Sequence, residues 1–139
     1  MFVPKKVKHR KWHTMRSNPN KVGVATRGTY LAFGSFGLKT MDPARITSNQ
    51  LESARKVLSR QAGKAGKMWV RVFPDMPITK RPPEVKLGKG KGDVYAYVAP
   101  VKPGQIIFEV DGLTEAEARE ALRKAGTKLP LRGKVVSRD

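Results

Sequence analysis

The stretch KLGKGKGD, residues 86–93, alternates lysine with glycine and has the spacing that most suggests chemistry. It is not a Walker loop, because no Ser or Thr follows the lysines and the next segment is predicted to be a strand. It is not a dinucleotide-binding loop either, since its third glycine comes one residue early. A flexible hairpin tip remains possible, but we favour a basic finger that contacts phosphates, because alternating glycines permit close approach and lysines supply charge. Its residues are Lys86, Gly88, Lys89, Gly90, Lys91 and Gly92.

The charge of the chain favours a polyanionic partner. The 139 residues include 29 Lys and Arg against 11 Asp and Glu, a net charge of +18. Residues 1–92 hold 21 of the basic and 4 of the acidic side chains, whereas residues 93–139 are nearly balanced. Solubility alone does not require this segregation, because like charges repel and cost stability. We favour nucleic acid over an anionic membrane, the other common polyanion.

Several classes of protein are disfavoured by composition. No apolar run reaches the roughly 18 residues of a membrane span, and Lys and Arg stand where a signal peptide has its apolar stretch. The sequence has no Cys, which excludes disulfides and thiolate metal sites and suits a reducing compartment. We therefore expect a protein that neither spans a membrane nor is secreted, and whose stability comes from packing alone.

Residues 1–21 are predicted to form an irregular basic arm. They contain seven Lys and Arg and no acid, and Pro4 and the turn-forming residues 17–20 interrupt any long helix. A solvated tail and a mitochondrial transit peptide are the alternatives, since both have a similar composition. On binding RNA, such an arm would lose entropy but release counterions from the phosphates it neutralises.

His9 and His13 lie four residues apart, the spacing of two metal ligands on a helix. No Asp or Glu accompanies them in the arm, and cationic neighbours oppose a divalent ion, so we predict no metal site. A ribonuclease could use two histidines and a lysine as acid, base and charge stabiliser. Because an irregular arm has no group to orient them, we predict no catalytic residues, no cofactor and no enzyme activity. Polar contact or stacking with RNA is the favoured role for both.

Two amphipathic helices are predicted to support these basic segments. Thr47 and Gln50 form a capping box before an apolar stripe that ends at Gly63, and Thr114 and Glu117 have the same spacing before a second stripe that ends at Gly126. The stripes are Leu51, Ala54, Val57, Leu58 and Ala62 in the first helix, and Ala118, Ala121, Leu122 and Ala125 in the second. The first helix carries Arg55, Lys56 and Arg60 opposite its stripe, either as a solvated face or as an RNA contact.

The remaining elements are predicted to be strands. Two short strands are expected in residues 22–33, followed by a loose stretch at FGSFGLK, and further strands at 66–73, 93–98, 105–110 and 131–137. Trp69 either belongs to the core or stacks on a base. Residues 74–83 contain four prolines, so we expect an extended connector that presents Lys80 and Arg81.

This order of elements predicts an α+β fold. We expect a single domain over 22–139, with two helices on one face of a mainly antiparallel sheet and an extended loop at 74–92, preceded by the arm at 1–21.

Several stretches together resemble the large-subunit ribosomal protein L-sixteen family of bacterial type, related to L-ten-e of archaea and eukaryotes. They are PKKVKHRKWH, FGSFGLK, GKMWVRVFPDMPITKRP, GKGKG, KPGQIIFEV and KLPLRG, and they span nearly the whole chain. Because the resemblance begins at Pro4, we expect the arm to belong to the mature protein. One departure is Lys86-Leu87, where bacterial members usually have Arg-Met; Lys keeps the charge but lacks the planar fork of Arg.

The resemblance implies an α+β protein that joins the large subunit late in assembly, binds 23S-type rRNA and helps shape the aminoacyl-tRNA site without catalysing peptidyl transfer. Its partners would be rRNA, tRNA and neighbouring ribosomal proteins, with the chain a monomer in a cytoplasmic or organellar ribosome. The finger would reach toward the peptidyl transferase centre. The predicted rRNA-binding residues, from the resemblance and the residue patterns together, are Lys5, Lys6, Lys8, His9, Arg10, Lys11, Trp12, His13, Arg16, Arg55, Arg60, Arg71, Lys80 and Arg81.

Two other functions remain open from the residues alone. A non-ribosomal nucleic-acid binder would be equally basic but would bind duplex DNA as well as rRNA. A ribonuclease would cleave its substrate with turnover and would depend on His9 or His13.

Overall fold

The computed structural model describes residues 2–13, 23–83, 88 and 90–138. In these residues the chain forms seven strands and two helices. In chain order they are β1 (Phe36–Thr40), β2 (Ala44–Thr47), α1 (Ser48–Ala62), β3 (Lys67–Val70), β4 (Met76–Lys80), β5 (Asp93–Val101), β6 (Ile106–Asp111), α2 (Glu115–Gly126) and β7 (Gly133–Ser137).

The strands form two antiparallel sheets. The larger has the order β3-β6-β1-β7, and the smaller has the order β2-β5-β4. The turn at residues 102–104 carries the chain from β5 in the smaller sheet to β6 in the larger one. The α+β class predicted from the sequence is confirmed, with the strands divided between two sheets.

The core lies between the larger sheet and the two helices. Both helices contact each other and this sheet, with α2 against β1, β6 and β7 and α1 against β3. Their buried residues share one apolar cluster with Leu38 of β1 and Phe108 of β6, which are directly opposite each other in the sheet. Burial of this cluster contributes to the driving force for folding, since each fully buried large apolar side chain, such as Leu58, Leu122 or Phe108, contributes about 1.5–3 kcal/mol.

The starts of both helices and the end of α1 agree with the signals in the sequence. Thr47 and Gln50 form both bonds of the capping box, at 3.2 and 3.0 Å, and Gly63 ends α1 with a positive φ of 62°. In α2, the Thr114 hydroxyl accepts from the Glu117 amide at 3.3 Å. Gly126 is the last helical residue rather than the cap, because the chain continues through Thr127 in a helical conformation.

The prediction of two strands in residues 22–33 is wrong. The described part of this stretch, from Gly23 onward, forms bends, whereas the two strands before α1 are β1 and β2. The FGSFGLK stretch was expected to be loose, yet it contains β1, which lies between β6 and β7. The role of Gly37 explains the error. A Cβ at this position would lie 2.4 Å from Leu31 Cδ2, so the absence of a side chain lets Leu31 pack closely on β1 rather than loosening the strand.

The proline-rich connector at residues 74–83 contains a strand. β4 pairs with β5 and forms an edge of the smaller sheet, with Pro77 opposite Tyr97. An edge strand has one side without a partner strand, so it tolerates the missing N–H of proline.

Candidate nucleic-acid interface

The arm is irregular in its described residues, as predicted, but it is anchored to the body at its start. Residues 2–13 contain no helix or strand. Phe2 packs against the core and makes an edge contact with Phe73, with ring centroids 6.4 Å apart. This contact places the start of the arm beside the segment between β3 and β4.

The arm meets the root of the Gly/Lys finger. The Lys11 ammonium donates to the Lys91 carbonyl at 3.3 Å, and the Lys91 ammonium donates to the Trp12 carbonyl. Arg10 and Asp93 form an ion pair at 3.7 Å with both side chains largely exposed, so this pair contributes little to stability. We call the five residues that make these contacts the arm–finger junction: Arg10, Lys11, Trp12, Lys91 and Asp93.

The glycines of the finger have the conformations for which glycine is suited. Gly88 and Gly90 have φ angles of 96° and 91°, a region that other residues rarely adopt. At Gly92, a Cβ would lie 2.7 Å from the Lys80 carbonyl oxygen, so the finger root packs closely against the end of β4. Lys86 and Lys89 lie outside the described residues.

Lys80 lies at the base of the finger, and its neighbour Tyr95 was missed by the sequence reasoning. Lys80 is opposite Asp93 where β4 pairs with β5, and its ammonium lies 5.5 Å from the centre of the Tyr95 ring. Tyr95 is 60% exposed. Its place in an alternating strand directly after the finger was the signal that could have identified it. Arg81 follows Lys80 and is partly buried.

Most predicted side chains of the arm are exposed, as a surface that binds a polyanion requires. Lys11 is partly buried, and Arg16 lies outside the described residues. In the described part of the chain, no three His, Cys, Asp or Glu side chains come together as a metal site would need. The exposed members are Lys5, Lys6, Lys8, His9, Arg10, Trp12 and His13.

The arginines of the body differ in how far internal partners engage them. Arg55 of α1 donates to Glu52 at 2.6 Å, which raises the pKa of Arg55 and lowers that of Glu52. Arg60 is exposed near the end of the same helix. Arg71 is the most engaged: its side chain is 20% exposed, and Nη1 donates to the Glu109 carboxylate at 2.5 Å. RNA contact by these three arginines stays a prediction.

Glu109 is fully buried and organises the segment that precedes β1. Its Oε1 accepts hydrogen bonds from the backbone amides of Ala32, Phe33 and Gly34 at 2.9–3.0 Å, while Oε2 accepts from Arg71. Burial alone would raise the pKa of Glu109, but these amides and the guanidinium hold the pKa below its ordinary value. The carboxylate thus fixes the backbone of residues 32–34 on the face of the larger sheet opposite the helices.

The chain is similar to known proteins over nearly its full length. Residues 4–136 match the family model described as ribosomal protein L16p/L10e. The chain belongs to this family. Its relatives include the large ribosomal subunit protein uL16 of Rhodopseudomonas palustris strain CGA009, which is 50% identical over 99% of this chain and 98% of the relative. The protein of the same name from Clavibacter michiganensis strain NCPPB 382 is 45% identical over 100% of this chain and 97% of the relative.

Membership in the family confirms the resemblance drawn from the sequence. It also confirms the prediction that the chain is a ribosomal protein and not an enzyme. None of the helices in the described residues is long and apolar enough to cross a membrane.

Proposed function

We propose that this protein binds large-subunit rRNA through its arm and Gly/Lys finger and helps shape the aminoacyl-tRNA site near the peptidyl transferase centre. As a member of the ribosomal protein L16p/L10e family, it is a structural constituent of the large ribosomal subunit. Its place in the cell is the ribosome. The proposal concerns which surfaces contact RNA and what they do there.

The arm–finger junction is the observation that carries this proposal. Two segments far apart in sequence meet through Lys11, Trp12 and Lys91, so their cationic side chains belong to one continuous basic region. A polyanion that follows this region can contact the arm and the finger together. Because the junction is exposed and its ion pair is weak, phosphates can replace the internal partners of its cations.

The three parts of the molecule have different roles in this mechanism. The arm neutralises rRNA phosphates and releases their counterions. The finger follows β4 and precedes β5 in the chain, and its glycines let the backbone approach RNA closely. The packed body fixes the direction of both segments, so that the finger can help position tRNA once the subunit has assembled.

A truncated variant lacking residues 2–16 tests the role of the arm. Binding to deproteinised large-subunit rRNA is measured over a range of salt concentrations, because each phosphate contact contributes about 0.7–0.9 to the slope of log K against log salt. We expect the slope to fall by several units in magnitude, since the deleted segment contains six Lys and Arg. A variant with Lys102→Gln and Lys128→Gln, two exposed positions on the body, is the control.

Two outcomes would contradict the proposal. An unchanged salt slope after truncation would show that the arm does not contact the phosphates. Equal affinity of the full chain for duplex DNA and rRNA at matched salt would favour a general nucleic-acid binder.

In a sucrose gradient of ribosomes, the full chain should remain with the large subunit at low and high salt.

A further inference from the structure

An exposed pair of aromatic side chains lies on the larger sheet, away from the arm–finger junction. Tyr30 is 72% exposed and Phe33 is 55% exposed. Phe33 stacks on Trp69 of β3, with ring centroids 5.9 Å apart and an angle of 21° between the rings. We call Tyr30, Phe33 and Trp69 the aromatic platform. Exposed apolar rings are typical of a surface that binds a partner, and here Phe33 also adjoins a second ring, that of Trp69.

The aromatic platform rests on an ordered backbone. The buried carboxylate of Glu109 accepts from the amide of Phe33 and from those of both neighbouring residues. Arg71 lies 5.4 Å from the centre of the Phe33 ring, and its guanidinium donates to the Tyr30 carbonyl at 3.4 Å. Because these contacts fix the backbone and hold the Phe33 ring before binding, a partner that stacks on Phe33 loses less conformational entropy.

The charges around the aromatic platform favour RNA as its partner. Lys39 and Arg138 line a shallow depression together with Tyr30, and the Arg138 guanidinium donates to the Leu31 carbonyl at 3.1 Å. The nearby carboxylates have internal partners: Glu109 is buried, and Asp111 accepts from the Ser35 hydroxyl at 2.8 Å. An exposed ring such as Tyr30, with cations beside it, suits a nucleotide, whose base stacks while its phosphate meets a Lys or Arg.

We propose that the aromatic platform binds an unstacked base of the large-subunit rRNA. Phe33 is the stacking residue, and Lys39 and Arg138, which line a depression together with Tyr30, are the cations available to the phosphate. This inference rests on the proposed function, because it assumes that the chain binds rRNA. It adds a second contact, on the opposite face of the larger sheet from the helices. It also gives Arg71 a positioning role beneath Phe33.

The test compares Phe33→Leu with Phe33→Tyr in binding to deproteinised large-subunit rRNA. Leu keeps apolar contact with Trp69 but removes the ring, whereas Tyr keeps the ring. Stacking of one base contributes about 1–3 kcal/mol, so we expect Phe33→Leu to weaken binding by about 5- to 150-fold and Phe33→Tyr to retain affinity. The slope of log K against log salt should not change, since no charge is removed. Tyr30→Leu, at a more exposed position, should weaken binding with an unchanged unfolding midpoint.

Three results would overturn the proposal. Unchanged affinity of both Leu variants would show that no base stacks there. A loss of affinity accompanied by a smaller salt slope would show that the substitution disturbs phosphate contacts instead. Normal affinity for deproteinised rRNA, with loss of the variant from assembled subunits, would assign the aromatic platform to a protein partner. These results can be told apart from a failure of the proposed function, which is tested separately by the effect of the arm truncation on the salt dependence of rRNA binding.

Discussion

At the scale of single residues, Glu109 organises the local structure around it, although it was not among the residues predicted to have a role. Its side chain is fully buried, and its carboxylate accepts hydrogen bonds from three backbone amides and from the Arg71 guanidinium. Arg71 is among the residues predicted to bind rRNA, and the residues next to it in the sequence do not reveal its internal partner. Glu109, 38 residues later, comes beside it because β3 and β6 pair.

Glu109→Gln should lower the stability of the folded protein at neutral pH. The amide has one oxygen that accepts and no charge, so Arg71 loses its ionic partner at a cost of about 1–3 kcal/mol. Because folding lowers the pKa of Glu109, the ionised carboxylate stabilises the fold above the ordinary pKa of Glu, and this contribution is lost as pH falls through the lowered value. The difference between variant and wild type in urea unfolding should therefore be larger at pH 7 than under acidic conditions.

Glu117→Gln is the matched control for this experiment, since Glu117 is exposed on α2. It should change the free energy of unfolding by less than about 0.5 kcal/mol. Equal stability of Glu109→Gln and wild type at pH 7 would contradict the role that we assign to the buried carboxylate.

At the scale of elements, the irregular segment that precedes β1, from Gly23 onward, lies against one face of the larger sheet where the sequence predicted two strands. Its backbone donates to the Glu109 side chain and to loop carbonyls, such as Pro103 from the amide of Ala25. Both sides of β1 are already paired, with β6 and β7, so the segment crosses the face of the sheet instead of extending it. Alternation of apolar residues predicted strands here, but the amides of residues 32–34 donate to the Glu109 carboxylate instead of to a neighbouring strand.

Gly37→Ala should destabilise the protein by disturbing this layer. A Cβ at Gly37 would lie 2.4 Å from Leu31 Cδ2 and 2.9 Å from the Phe108 carbonyl oxygen. Overpacking of this kind costs about 1–3 kcal/mol, which thermal or urea unfolding can measure. Gly23→Ala is the control, because nothing lies within 4 Å of a Cβ there. If both substitutions have the same small effect, the close packing of Leu31 on β1 does not contribute to stability.

At the scale of the whole molecule, folding brings together basic segments that are separated in sequence. Lys11 and Lys91 are 80 residues apart, yet the side chain of one contacts the backbone of the other. The smaller sheet makes this possible, since the pairing of β4 with β5 holds both ends of the finger.

Lys89→Ala combined with Lys91→Ala should leave the fold intact and impair accommodation of tRNA. Both lysines belong to the Gly/Lys stretch, and Lys91 is exposed, so we expect the unfolding midpoint to remain within a few degrees of that of the wild type. Ribosomes containing the double variant should bind aminoacyl-tRNA more weakly or more slowly in a filter-binding assay. Wild-type tRNA binding by such ribosomes would exclude the role of the finger. Lys102→Ala, on the turn between the sheets, is a control for the loss of a surface charge.

The sequence by itself determined the two helices and the charge that favours a polyanionic partner. The caps at Thr47 and Thr114, the apolar stripes of both helices and the excess of Lys and Arg act over a few residues or through total charge, so they can be recognised without a fold. The match of short motifs in order then identified the family.

Only the tertiary structure decided which strands share a sheet and which charges have internal partners. Arg71 donates a hydrogen bond to Glu109, and Lys11 of the arm donates one to the Lys91 carbonyl, both between residues distant in sequence. Leu31 packs on Gly37 because the chain folds back over β1. Such contacts depend on how the sheets pair and pack, because a local pattern fixes the direction of a side chain but not the surface that it meets.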